Sequence, residues 1–163
     1  MQISLIVAAD ENYGIGINGD QPAFIGADLK RFKALTTGNT ILMGRKTFEA
    51  LPEGALPNRR NIVLSRRTDF SPPGCEVIST PERLETICTP DELVYVIGGG
   101  EIYNLFFPLA QRILLTLIHH QFEAVDTWFP KIEPEKWKIE SQDGPFEDPK
   151  NGLHYSYMNY TRK

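Results

Sequence analysis

Residues 94–103 read Val94-Tyr95-Val96-Ile97-Gly98-Gly99-Gly100-Glu101-Ile102-Tyr103, and the reading of this stretch decides the fold. Four apolar residues rich in Val and Ile read as a buried strand. Three glycines then end it and let another group lie against bare backbone. An apolar pattern resumes over residues 101–107 and stops at Pro108, so a helix begins just after the glycines with its free N–H groups facing the same spot. Strand, glycine turn and helix start together make a phosphate grip. The spaced fingerprint G-x-G-x-x-G is absent, because the glycines are consecutive and the third expected one falls on Tyr103. For the stretch taken alone, a glycine-rich turn without a ligand stays open as the alternative.

Outward from this stretch the chain is of single-domain length, 163 residues, enough to bury about two-thirds of the surface its unfolded form exposes. Hydrophobic residues at 41% and charged ones at 23% are those of an ordinary globular protein, and the net charge of -4 argues against a general nucleic-acid binder. Met1-Gln2 leads straight into an apolar strand, with no basic segment and no apolar run long enough for a bilayer, so no membrane association and a cytoplasmic location are expected. Cys75 and Cys88 form no C-x-x-C motif and have no histidine cluster beside them, which predicts two reduced thiols.

Residues 3–9 are a nearly continuous apolar run, as in a strand covered on both faces, and belong in the middle of a sheet. Residues 10–26 carry Gly14, Gly16, Gly19 and Pro22 with no period and read as a long lid or binding loop. Leu29, Phe32 and Leu35 then recur three apart, which puts Asp28 in the first turn of an amphipathic helix ending at Gly38. A strand over residues 40–43 runs into Gly44-Arg45-Lys46-Thr47 and a helix through Leu51, and a third over residues 61–64 ends at Ser65-Arg66-Arg67. A short strand at residues 76–78 and a helix over residues 80–88, with Thr80 as N-cap, continue the alternation. Three more strands are expected at residues 112–119, 137–142 and 153–160. A link through Gly144, Pro145, Pro149 and Gly152 should make the last two an antiparallel hairpin at one edge.

Alternating strands and helices predict a mainly parallel sheet that binds ligands beyond its carboxyl strand ends. Three of those ends carry phosphate chemistry: the glycines at 98–100, Arg45 with Lys46 and Thr47, and Ser65 with Arg66 and Arg67. A basic pair taken singly also fits a solvated surface; the shared position at strand ends favours a ligand. A pyrophosphate needs one or two of these clusters, so the third suggests the additional phosphate that distinguishes NADPH from NADH.

Several stretches together resemble the bacterial dihydrofolate reductase family over the whole chain. They are residues 3–8, Gly14-Ile15-Gly16, Ala27-Asp28-Leu29 with Phe32, Met43 to Glu49, Leu56 to Asn61, Val96 to Tyr103 and Asp126-Thr127-Trp128-Phe129-Pro130. The resemblance implies one domain over residues 1–163, with an eight-stranded mixed, mainly parallel sheet, about four flanking helices and a C-terminal antiparallel hairpin. It also implies a cis peptide between Gly98 and Gly99 and NADPH-dependent reduction of 7,8-dihydrofolate, supporting one-carbon and thymidylate metabolism. Antifolate inhibitors would be further ligands, no metal is implied, and a monomer is expected.

Carried onto this chain, the resemblance makes Asp28 the catalytic carboxylate that holds the pterin through a ring nitrogen and its 2-amino group, since a carboxylate offers two acceptors to two parallel donors. Ile6, Val7, Leu29, Phe32, Leu51 and Ile97 match other substrate contacts, the apolar walls among them. Arg59 matches the partner of the glutamate tail's carboxylate, and Thr116 the residue supporting Asp28. Ala8, Ile15, Gly16, Asn18 and Thr47 match the nicotinamide side of the cofactor site. Gly44, Arg45, Lys46, Leu64, Ser65 and Arg66 match the grip on its phosphates, with Ile97, Gly98, Gly99, Gly100, Glu101, Ile102, Tyr103 and Thr127 along the rest. The family's usual tryptophan after the loop proline is Ala23 here, and Phe24 is expected to refill part of that space. Two rivals differ in features: the NADPH-using reductase of riboflavin synthesis lacks the Asp28 helix context and the Arg59 motif, and a non-catalytic binding module would leave NADPH unoxidised.

Overall fold

A computed structural model describes residues 1–163. Eight strands form one sheet in the order β5-β4-β3-β6-β1-β7-β10-β9, where β1 is Gln2–Ala9, β3 Thr40–Gly44, β4 Arg60–Leu64, β5 Cys75–Ile78, β6 Leu93–Gly98, β7 Arg112–Ile118, β9 Trp137–Glu147 and β10 His154–Arg162. The five pairings from β5 to β7 are parallel and the two that add β10 and β9 are antiparallel. The apolar first strand therefore lies inside the sheet, between β6 and β7, as its lack of a polar face requires.

Strand alternation divides the core into two layers. Ile3, Leu5 and Val7 of β1, Leu42 of β3, Ile62 of β4, Val94 and Val96 of β6 and Ile113 of β7 face one side. There they meet α3 (Arg83–Ile87) through Leu84 and α4 (Gly100–Phe106) through Ile102, Tyr103 and Phe106. Ile41, Met43, Val63, Tyr95 and Leu114 face the other side, under Leu35 of α1 (Gly26–Thr36) and Phe48 of α2 (Arg45–Glu49). Leu42 and Ile62 are wholly buried, and each contributes about 1.5–3 kcal/mol by leaving water.

Several boundaries depart from the sequence expectations. The loop after β1 contains a short strand, β2 (Gly14–Gly16), paired antiparallel with β8 (Thr127–Trp128). Thr80 is not a side-chain cap: α3 begins at Arg83, and only the Thr80 carbonyl participates, accepting from the Arg83 N–H at 3.2 Å. Pro108 does not stop the chain's helical course outright, because a single 3-10 turn covers Phe107–Leu109. Gly144 and Pro145 lie inside β9, opposite a register shift between Tyr155 and Tyr157, so the pair marks a bulge in the hairpin and the turn falls later.

Candidate active site

The glycine turn leaves β6 with Gly98 at φ +123° and a cis bond to Gly99, as the resemblance implied. A Cβ on Gly98 would meet the Tyr103 ring at 3.3 Å, and one on Gly100 would lie 2.6 Å from Thr127 Cγ2. Only glycine fits these positions. α4 is seven residues long, so what it offers an anion is the N–H groups of its first turn, with little macrodipole behind them.

A cleft of about 680 Å³ opens over the carboxyl ends of β3, β4, β5 and β6. Gly44, Arg45, Lys46, Thr47, Leu64, Ser65, Arg66, Gly99, Gly100, Glu101 and Ile102 all line it, so the structure brings eleven of the expected cofactor residues together. Arg45 is paired with Glu49 at 2.5 Å, one helical turn away, whereas Lys46 and Arg66 are exposed with no carboxylate partner. Buried Ser65 takes the Arg67 N–H at 3.2 Å, which folds the chain so that Arg66 and Arg67 border the same space. Ser79, Thr80, Pro81, Glu82 and Leu105 line the cleft as well and were not anticipated. The available signal was positional: Ser79 and Thr80 follow β5 as Ser65 follows β4.

A second cluster lies toward the antiparallel end. Thr116 of β7 donates to Asp28 Oδ1 at 2.5 Å, and because Thr116 pairs with Ala8, the carboxylate sits near the carboxyl end of β1. Burial raises the Asp28 pKa above the ordinary carboxylate value, while the Thr116 hydrogen bond and the Arg31 charge pull it down. Tyr103 donates to the Ile6 carbonyl at 2.7 Å and is pushed up by burial and by the Asp28 charge. Ile6, Ile97 and Leu51 pack partly buried beside the core, and Leu29 is half exposed. Val7 points its side chain into the core, so only its backbone is left for a ligand. Arg59 is steadied by donating Nε to the Pro57 carbonyl at 2.9 Å and Nη1 to Thr36 Oγ1 at 3.2 Å. Phe24 is 53% exposed, so it does not refill the space beside Ala23; the buried member of that segment is Ile25.

The long loop is tied down by two carboxylates. Asp126 accepts from the Asn18 N–H at 2.9 Å and from Thr127 Oγ1, both of which lower its pKa, and Gly16 pairs with Thr127. Asp10, 2% exposed, accepts from the Asn12, Gly14 and Phe122 N–H groups. Ile15, between the paired Gly14 and Gly16, packs partly buried against the core.

The donor set suits a dinucleotide carrying a further phosphate: four cations outnumber Glu82 and Glu101 around the cleft, and its floor at Gly99 and Gly100 is bare backbone. Comparison with known proteins agrees. A family model described as dihydrofolate reductase matches residues 2–162. The dihydrofolate reductase of Bacillus subtilis (strain 168) is 41% identical over 99% of this chain and 95% of its own length, and that of Staphylococcus haemolyticus 38% over 99% and 96%. A solved structure, the dihydrofolate reductase from Enterococcus faecalis complexed with NADP(H) and RAB-propyl, superposes with a TM-score of 0.89 at 32% identity, covering 99% of this chain and 96% of that one. With a doubly covered sheet, a glycine-floored cationic cleft and a partly buried carboxylate at its carboxyl end, the chain belongs to the dihydrofolate reductase family of NADPH-dependent oxidoreductases.

Proposed function

We propose that the chain converts 7,8-dihydrofolate to 5,6,7,8-tetrahydrofolate, with Asp28 holding the pterin and the cleft over β3, β4 and β6 holding NADPH. The observation that carries this reading is the partly buried Asp28 carboxylate, one oxygen fixed by buried Thr116, on the same end of the sheet as the glycine turn. A carboxylate so held keeps acceptor capacity for two parallel N–H donors, the pattern a 2-aminopterin ring presents. The apolar edges of Ile6, Leu29, Phe32, Leu51 and Ile97 exclude water from a flat heterocycle, and Arg59, bonded to Thr36 one helical turn beyond Phe32, receives the acidic tail.

Lys46, Arg66 and Arg67, with Ser65, Thr47 and the N–H groups after Gly99, hold the cofactor's phosphates, and Ala8, Ile15, Gly16 and Asn18 border its nicotinamide end. NADPH supplies the hydride, delivered to pterin C6. The proton for N5 comes from water, because Asp28 is committed to the opposite edge of the ring, which it polarises, and buried Asp10 is taken up by three backbone N–H groups. The loop held by Asp10 and Asp126 shields that chemistry from bulk water. In this reading the enzyme acts as a monomer, and its product serves one-carbon metabolism in the cytoplasm. Loss of NADPH absorbance on adding dihydrofolate tests the reading, and Asp28→Asn should abolish most of it while NADPH still binds. Normal turnover by that variant would reject the role given to Asp28.

A further inference from the structure

Asp28 and Arg31 stand three residues apart on α1 and so share one face of the helix. That face meets two neighbouring strands, where Thr116 of β7 and Tyr157 of β10 are register partners. Asp28 takes the β7 side through Thr116. Arg31 takes the β10 side: its guanidinium carbon lies 4.1 Å from the Tyr157 ring centroid, and Nη2 donates to Asn159 Oδ1 at 2.9 Å. Stacking plus a hydrogen bond immobilises a side chain that would otherwise sample many rotamers. Its Nη1 is buried without a hydrogen-bond partner, and Arg31 makes no ion pair within 4.0 Å, so its charge acts on Asp28 through space along the helix face.

The groups around the pair are few. Asp143 of β9 and Asp28 are the acids acting on Arg31, and Arg31 is the cation acting on Asp28. Tyr103 of α4 and Tyr157 of β10 both feel the Asp28 charge, but burial holds Tyr103 up and pushes Tyr157 up to about 12, so both stay neutral. Tyr155, next along β10 on that face, acts only on Tyr157. Thr116 contributes a dipole. One fixed cation thus stands against the burial that disfavours an ionised carboxylate.

We propose that Arg31 is a positioning residue for this site: seated on Tyr157 and Asn159, it holds a fixed positive charge beside the Asp28 carboxylate and keeps it charged, extending ligand binding toward lower pH than the site would permit without that charge. The effect on ligand rests on the reading of Asp28 given above; the effect on the carboxyl group does not. The test is a carboxyl-carbon NMR titration of the full-length enzyme, the Asp28 signal being assigned by its absence in Asp28→Asn. It is run on the native protein, Arg31→Lys, Arg31→Met and Asn159→Ala, with KM and kcat for dihydrofolate measured across the same pH range.

The Asp28 midpoint should move upward in Arg31→Met, stay near native in Arg31→Lys, and fall between in Asn159→Ala, which frees the guanidinium without removing it. KM in Arg31→Met should rise about tenfold on the acidic side and stay within about twofold on the alkaline side. An unmoved midpoint in Arg31→Met overturns the inference, as does a rise in Arg31→Lys equal to that in Arg31→Met, which would mean shape and not charge. If Arg31→Met does not fold, the Lys and Asn159→Ala titrations decide alone, an unmoved midpoint in Asn159→Ala counting against. A moved midpoint with pH-independent KM supports the role of Arg31 and removes the pterin from Asp28.

Discussion

The two halves of the site are built on opposite plans. The cleft over β3, β4, β5 and β6 spreads its hold over backbone N–H groups, hydroxyls and several cations, contributed by four strand ends. The half around Asp28 concentrates everything on one partly buried carboxylate with a single hydrogen-bonding side chain, Thr116. A spread hold weakens by degrees when parts are removed; a concentrated one fails at a single position. The difference follows from the physics: exposed charges are individually weak in water, whereas a desolvated charge is strong and sensitive.

Substitutions can break that contrast, beginning with the largest effect. Asp28→Asn should lower turnover at least ~100-fold, with NADPH affinity changed less than about twofold by fluorescence titration. The same variant should melt higher at neutral pH. Burial raises the Asp28 pKa in the folded state, so its stabilising contribution is complete below the unfolded value of 3.8 and is lost as pH rises through the folded value. Above that window the native carboxylate is a strain that Asn does not carry. A lower Tm for Asp28→Asn would contradict the sign.

Next is Gly98→Ala, a position where the spread half should fail like the other. The φ of +123° and the Tyr103 ring at 3.3 Å leave no room for a methyl group, and NADPH affinity should fall by about tenfold or more with a lower Tm. Thr116→Val removes the hydroxyl that favours the charged form, so dihydrofolate KM should rise about tenfold in acid and little in alkali. Arg66→Ala should weaken NADPH about threefold to tenfold and leave NADH nearly unaffected, since neighbouring cations remain; an equal loss for both cofactors would remove the extra phosphate from Arg66. Phe24→Ala should change turnover by less than about twofold, because the ring is 53% exposed.

The same contrast explains what could be read from the chain. The spread half is written in contiguous stretches, Gly44 to Thr47, Leu64 to Arg67 and Gly98 to Tyr103, each directly after an apolar strand, so position along the sequence equals position in the cleft. The β5 end escaped because a four-residue strand carries little period and Thr80 has the chemistry of a cap. The concentrated half joins Asp28 to Thr116 across 88 residues, and no local pattern announces such a pair; the family resemblance supplied it. Arg31 reads as an ordinary charged helix position until β10 is laid beside it. The β2 and β8 pairing is likewise too short for alternation to reveal, and Gly144-Pro145 has turn chemistry that the hairpin uses as a bulge.

The start of α1 has no side-chain cap of its own at Ile25. Its Gly26 N–H instead donates to Asp148 Oδ1 at 3.3 Å, the Phe24 carbonyl accepts from Asn151 at 3.2 Å, and Asp148, 3% exposed, also gathers the Lys150 and Asn151 N–H groups. The helix that bears Asp28 is therefore fastened by a segment synthesised 122 residues after it. A nascent chain halted at residue 147 would already own its nucleotide cleft but lack this fastening, and antifolate capture by ribosome-bound chains of increasing length should begin only after the final hairpin has emerged.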